Sequence, residues 1–289
     1  MFKLENEFIS VEVNSKGAEM YSLKSKDDGT EFIWQADSKY WPWHAPVCFP
    51  IVGKLANNQY QVGDNTYCLN VHGFARDMEF RKIEAADDRV VYRLDYDDAT
   101  LAKFPFKFLL DISYTLVGRG VIIQYNVKNA DDKPICFSIG AHTGFNCPLL
   151  PDEMFSDYEL VFETAETAKR LLLDDGLRSG QTELLLKNDN TLPLSRELFK
   201  KDALILKNLK SQYVTLRGRK SGKSVTVNFM GFPYMGIWTK PEEAPFVCIE
   251  PWYGVTDTTG ESKRITEKEG ILFLVPEQEF RCAYQIIVG

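Results

Sequence analysis

The feature that most constrains this chain is a period of two. Ile9, Val11 and Val13 alternate with Ser10 and Glu12, and Val90, Tyr92, Leu94 and Tyr96 alternate with Arg93 and Asp95. A strand sends successive side chains to opposite faces, so these runs read as half-buried strands. The pattern returns in Phe108, Leu110, Ile112, Tyr114 and Leu116. After Gly118-Arg119-Gly120 it resumes in Val121, Ile123, Tyr125 and Val127, which predicts a hairpin. Val225 to Phe229 and Phe280 to Ile286 continue it, and turn residues punctuate it at Asp27-Asp28-Gly29, Asp131-Asp132-Lys133 and Ser221-Gly222-Lys223. No long segment carries a 3.6-residue apolar stripe, so helices are expected to be few and short. Ser195 to Lys201 is the best candidate for a helical turn. The reading is all-β, an antiparallel sandwich.

At 289 residues the chain is large for one domain, yet sandwiches reach this length. No linker, low-complexity tract or repeat divides it, so a single domain over residues 1–289 is expected. Met1 to Val13 run directly into a strand with no visible secretory signal, which predicts a cytoplasmic protein. Apolar runs such as Ile271 to Val275 fall far short of the roughly 20 residues a membrane helix needs. A net charge of −7, with Lys and Arg dispersed along the chain, argues against nucleic acid as a partner. The six cysteines include no C-x-x-C pair and are expected to be reduced, mostly buried thiols.

Two motifs are set aside on spacing. Arg217 to Ser224 superficially suggests a phosphate-binding loop, but only three residues separate Gly218 from Gly222 and the context is strand-turn-strand, so a basic hairpin turn is expected. Cys136, His142 and Cys147 match no common zinc spacing and lack a fourth ligand nearby, so no metal site is expected.

Three histidines remain to carry chemistry, His44, His72 and His142. The aromatic neighbours of His44 in Trp41-Pro42-Trp43-His44 point to packing. His142 ends an alternating strand between Gly140 and Gly144, where glycines permit close approach of backbone or ligand. His72 precedes Gly73 in a segment that also carries Arg76 and Asp77. Spacing alone leaves both open to a structural or a functional role. Glu250 ends the apolar run Val247-Cys248-Ile249 and precedes Pro251-Trp252-Tyr253. It reads either as a surface carboxylate at a strand end or as a desolvated one with a raised pKa, suited to act with an imidazole as acid and base near neutral pH.

At these residues the sequence resembles the aldose 1-epimerase (mutarotase) family, in the branch often called LacX-like. The resemblance spans nearly the whole chain. It rests on four ordered pieces: Phe49-Pro50-Ile51-Val52-Gly53-Lys54-Leu55, His72-Gly73-Phe74-Ala75-Arg76-Asp77, Gly140-Ala141-His142-Thr143-Gly144-Phe145-Asn146 and Ile249-Glu250-Pro251-Trp252. It implies a galactose-mutarotase-like β-supersandwich that interconverts the α and β anomers of an aldohexose without metal or organic cofactor. By that resemblance His142 donates a proton to the ring oxygen and Glu250 takes one from the anomeric hydroxyl, facing each other across the cleft. His72 holds the substrate's developing charge, and Asp202 binds a hydroxyl. Lys54 stands where the family usually has arginine, and by the same resemblance Arg76 matches an arginine with which related hexose-6-phosphate epimerases hold phosphate. Lys54 and Arg76 would then form an anion site, the alternative being that Arg76 pairs with Asp77 and braces its loop. The partner expected is a small sugar or sugar phosphate, bound by a monomer or homodimer, with no membrane involved. A noncatalytic sugar-binding protein with Phe145, Trp252 and Tyr253 as stacking groups, and a glycosidase using Asp202 and Glu250, are the competing readings.

Overall fold

The structure is a computed structural model that describes residues 1–260 and 264–289. Two large antiparallel sheets dominate it. The nine-stranded sheet runs in space from Asp189–Pro193 through Tyr158–Glu166, Tyr213–Gly218, Ser224–Asn228, Glu279–Val288, Gly120–Asn129, Phe108–Val117 and Arg89–Asp95 to Arg81–Ala85. The expected hairpin lies inside it, next to the central strand Glu279–Val288, with Val117 opposite Gly120 and Phe108 opposite Asn129. Leu110, Ile112 and Tyr114 enter the core while Asp111 points away and pairs with Arg93 through two hydrogen bonds of 2.5 and 2.7 Å. The basic segment is a turn, joining Tyr213–Gly218 to Ser224–Asn228.

The eight-stranded sheet places the site. Its main path is Leu177–Leu184, Lys169–Asp174, Leu204–Lys207, Tyr234–Trp238, Phe246–Tyr253, Ile139–Ala141 and Val47–Cys48, and Thr143–Asn146 adds to Phe246–Tyr253. Here period two is masked, because Phe246 to Trp252 are all buried. A strand covered on both faces reads as continuous apolar sequence. The two faces still differ: Val247 and Ile249 join the core shared with the nine-stranded sheet, while Cys248, Glu250 and Trp252 point to the opposite side. Likewise Leu204 and Leu206 enter the shared core, and Ile205 faces Trp252 and Val255 in a second cluster. Each fully buried side chain of this size contributes about 1.5–3 kcal/mol, so the core fixes the register that carries Glu250.

Helix is scarce, as the missing 3.6-residue period implies. Ser195 precedes a single 3-10 turn, Arg196–Phe199, but its side chain makes no capping bond. The capped turn is Asp98–Leu101, where Asp97 accepts from the Thr100 backbone N–H and the Thr100 hydroxyl accepts from the Asp97 N–H. All six cysteines are free thiols, buried except Cys68. Among the described residues no helix is long and apolar enough to cross a membrane.

Candidate active site

On the outer side of the eight-stranded sheet lies a pocket of about 300 Å³ that brings His72, His142, Glu250, Asp202, Lys54 and Arg76 to one space. That volume is in the lower part of the range for small-molecule sites, roughly 300–1,000 Å³. His142 sits at the junction of Ile139–Ala141 and Thr143–Asn146, with its N–H bonded to the Pro46 carbonyl at 3.0 Å. His142 Nε2 is 3.2 Å from Glu250 Oε2. The two therefore stand side by side on one wall, not across a cleft, and Glu250 is 1% exposed, which overturns the surface-carboxylate reading. His142 Nδ1 and Glu250 Oε2 have no hydrogen-bond partner among the described residues. Buried polar atoms left unpaired are costly, so groups held this way suit a polar ligand.

Burial sets the charges. It pushes the Glu250 carboxyl well above the usual range, and the Asp202 carboxylate adds to the shift. It holds the His142 imidazole well below its ordinary value, with His72 and Arg76 acting in the same direction. Both groups favour the neutral form, so the pair carries one exchangeable proton around neutral pH.

His72 lies edge-on to His142, with ring centroids 5.0 Å apart. Its backbone is left-handed at φ 65°, and Gly73 follows at φ 75° with its α-carbon so close to Phe49 that a Cβ would sit 2.3 Å from the Phe49 carbonyl oxygen. The H-G-F segment thus folds back onto F-P-I-V-G, and Phe74 N–H and Ala75 N–H both bond Phe49 O. His72 Nδ1 accepts from the Gly53 N–H at 3.2 Å. Burial, then Arg76, lowers its pKa to about 3, so the ring is neutral and its proton resides on Nε2. It is a fixed donor.

Three tryptophans supply the apolar walls. Trp41 stacks on His142 at 4.8 Å, Trp238 meets it edge-on at 5.9 Å, and Trp252 donates Nε1–H to the Ala141 carbonyl at 3.0 Å. Gly140 is small because of Trp252: a Cβ there would lie 2.5 Å from its Cδ1. The close approach that Gly140 permits is thus to an indole and not to ligand. Phe145 and Tyr253, expected as stacking groups, do not line the pocket. Phe145 is fully buried in the shared core, and Tyr253 packs against Phe232 and Phe280. Trp41 sits in a Trp-Pro-Trp segment that reads as packing, and Trp238 carries no sequence signal that sets it apart from other strand aromatics. His44, the third histidine, stacks on Tyr21 at 4.0 Å and is absent from the pocket lining.

The cations differ. Lys54 Nζ donates to the carbonyl and carboxylate of Asp175, both at 2.8 Å, at the tip of the hairpin formed by Lys169–Asp174 and Leu177–Leu184. Thr256 Oγ1 fastens the same tip by donating to the Gly176 carbonyl at 2.7 Å. Arg76 stands over the Trp43 ring at 4.5 Å and bonds the Val71 carbonyl at 3.1 Å. Its Nε is 3.9 Å from Asp77, too long for a hydrogen bond, so Val71 and Trp43 do more of the bracing than Asp77. Asp202 is left-handed at φ 72° at the exposed edge of the pocket, and its Oδ1 accepts from the Ala203 N–H. Cys136 and Cys147 take no part in any ligand-like group with His142; the thiol that approaches it is Cys248.

The comparisons with known proteins agree with this architecture. The family model described as aldose 1-epimerase matches residues 1–268. The chromosomal LacX protein of Lactococcus lactis is 34% identical, over 99% of this chain and 98% of its own. A galactose mutarotase related enzyme from Lactobacillus acidophilus superimposes with a TM-score of 0.96 at 33% identity, over 100% of this chain and 97% of that one. A galactose mutarotase-like protein from Lactobacillus casei does so at 0.94 and 33%, with all of both chains covered. Matched end to end by these relatives and built around the same kind of β-sandwich, the chain belongs to the aldose 1-epimerase family.

Proposed function

We propose that the protein is an aldose 1-epimerase that interconverts the α and β anomers of an aldohexose, using His142 and Glu250 as its acid and base. The observation that carries this is the 3.2 Å contact between their polar atoms in a pocket walled by indoles. Anomer exchange needs one donor at the ring oxygen and one acceptor at the anomeric hydroxyl. Both oxygens are attached to C1, so the two catalytic groups must be neighbours.

One shared proton is enough. Burial favours the neutral pair, with the proton on Glu250. Hydrogen bonds from sugar hydroxyls favour the charged tautomer, in which His142 holds the proton and Glu250 is a carboxylate. His142 then protonates the ring oxygen as Glu250 removes the anomeric proton, and the C1–O5 bond breaks to give the open aldehyde. Rotation about C1–C2 presents the other carbonyl face, and the groups act with roles exchanged to close the ring. The Nε2–H of His72 and the guanidinium of Arg76 stabilise negative charge on the sugar oxygens. Asp202 accepts from a hydroxyl at the pocket edge.

An unphosphorylated aldose fits best, because Lys54 is already paired to Asp175. The 6-phosphate of the same sugar is the second reading. It is favoured by the near-complete exposure of Asp175, 90%, which leaves its carboxylate easily displaced by a phosphate. Polarimetry of freshly dissolved α-anomers tests the main claim. The protein is expected to speed the approach to rotational equilibrium, and His142→Asn should remove most of the acceleration. A wild-type protein that leaves every sugar at its spontaneous rate would refute it.

A further inference from the structure

We propose that His142, Cys248 and Glu250 together form a binding site for Zn²⁺, and that the ion inhibits the enzyme by occupying its acid and base. The imidazole nitrogen, thiol sulfur and carboxylate oxygen of these residues all lie within 4.8 Å of one another, the one such group of potential metal donors among the described residues. The arrangement follows from the sheet. Cys248 and Glu250 are two apart on Phe246–Tyr253 and share a face, and Gly144 opposite Cys248 draws the segment bearing His142 alongside.

The geometry is close to what zinc asks. Bonds of about 2.0–2.1 Å to N and O and 2.3 Å to S place tetrahedral donors roughly 3.3–3.6 Å apart. The His142 Nε2 to Glu250 Oε2 edge is 3.2 Å and the three donors lie within 4.8 Å of one another, so the thiol needs to move inward by no more than about 1 Å. All three residues are buried, and Glu250 Oε2, the carboxylate oxygen that faces His142 Nε2, has no hydrogen-bond partner among the described residues. A cation held between the two would relieve that deficit.

The charge balance suits a dry site. Zn²⁺ binds the neutral imidazole and displaces one proton from the thiol and one from the carboxyl, leaving a complex of zero net charge with two protons released to solvent. A neutral unit in low dielectric avoids the cost of a buried charge. A water or sugar hydroxyl takes the fourth position from the pocket side. Mg²⁺, which prefers six oxygen ligands, gains little from the thiolate. Because protons are displaced, binding strengthens as pH rises. The inhibitory consequence rests on the epimerase reading; binding itself does not.

Co²⁺ replaces Zn²⁺ as a visible probe. Titrating the full chain with CoCl₂ should give, at one equivalent, the thiolate charge-transfer band and the intense visible bands of a tetrahedral cobalt site, both abolished by ZnCl₂. Cys248→Ser should lose the charge-transfer band and weaken Zn²⁺ by about tenfold or more. Cys68→Ser, which removes the exposed thiol, should change neither. Circular dichroism checks that the variants fold. Should Cys248→Ser not fold, Glu250→Gln serves instead and should weaken Zn²⁺ by a similar factor. The site is refuted if the wild type shows no thiolate band at one equivalent, if Cys248→Ser binds Zn²⁺ as tightly as before, or if Cys68→Ser removes the signal. A wild type that shows the cobalt spectrum but never accelerates mutarotation supports the site and sinks the functional proposal, so the two failures are distinguishable.

Discussion

His142 Nε2 and Glu250 Oε2 approach to 3.2 Å, yet Glu250 Oε2 has no hydrogen-bond partner among the described residues. The pair is close enough to exchange a proton and is not locked into doing so, which leaves both groups free to address a substrate. General acid–base groups typically contribute on the order of 10²–10⁴-fold in rate. Glu250→Gln and His142→Asn are each expected to lower kcat by that factor. The double variant should lose little more than either alone, because the two act as one unit. Single and double variants compared by the same rotation assay check this.

The dependence on pH follows from the directions of the two shifts. Adding a second proton to the pair is opposed by the lowered pKa of His142, and removing the last proton is opposed by the raised pKa of Glu250. The profile of kcat/KM is therefore expected to be a plateau across neutral pH. Its acid limb should fall well below the ordinary histidine value of 6.5 and its alkaline limb well above the ordinary glutamate value of 4.5. An acid limb centred at 6.5 would mean that His142 is solvated.

The ion pair of Lys54 with Asp175 offers a test of whether the proposed substrate carries phosphate. Asp175→Asn removes the carboxylate charge from the ammonium while keeping its bond to the Asp175 backbone carbonyl, and leaves the chemistry untouched. If Lys54 serves phosphate, the variant should lower KM for an aldohexose 6-phosphate severalfold, by roughly the 0.2–1 kcal/mol of an exposed pair, with no effect on the free sugar. Equal KM shifts for both sugars would mean that the hairpin tip, and not the charge, was altered.

Gly140→Ala places a methyl 2.5 Å from Trp252 Cδ1. Overpacking of this kind costs about 1–3 kcal/mol, read as a lower midpoint in urea. Because Trp252 is a wall of the pocket, KM should rise more than kcat falls.

Glu19 accepts from the His44 and Ala45 N–H groups at 2.7 and 2.9 Å and so holds the segment whose Pro46 carbonyl receives the His142 N–H. Burial raises its pKa from 4.5 to about 7, partly offset by those two bonds and by Arg76. The folded state thus binds a proton more tightly than the unfolded one, so its stabilising effect is complete below pH 4.5 and is lost as pH rises to 7. Glu19→Gln lacks this titration. The stability difference should move in favour of the variant by on the order of 3 kcal/mol between those pH values, measurable by urea denaturation.

The sheets were legible because half-buried strands keep period two, as from Phe108 to Val127. The site strand was legible only as an apolar run, since both faces of Phe246–Tyr253 are covered and no polar residue marks which face is which. Glu250 stood out because a carboxylate there interrupts the run. Cys248 did not, because a thiol on such a strand looks like any small core residue. Trp41 and Trp238 lie outside the four motifs and Gly176 is far from them in sequence, and they reach the pocket only through the way the chain folds, Gly176 through the turn whose Asp175 bonds Lys54. The helix at Asp98 escaped because four residues are too few to show a period.

The most direct test is magnetisation exchange between the α and β anomeric protons, followed by NMR for glucose, galactose and their 6-phosphates. With the wild type, at least one sugar should exchange faster than it does alone, and Glu250→Gln should reduce that enhancement by on the order of 10²-fold or more. No enhancement for any of the four, or an equal enhancement by the variant, would contradict the assignment of His142 and Glu250 as the acid and base of an aldose epimerase.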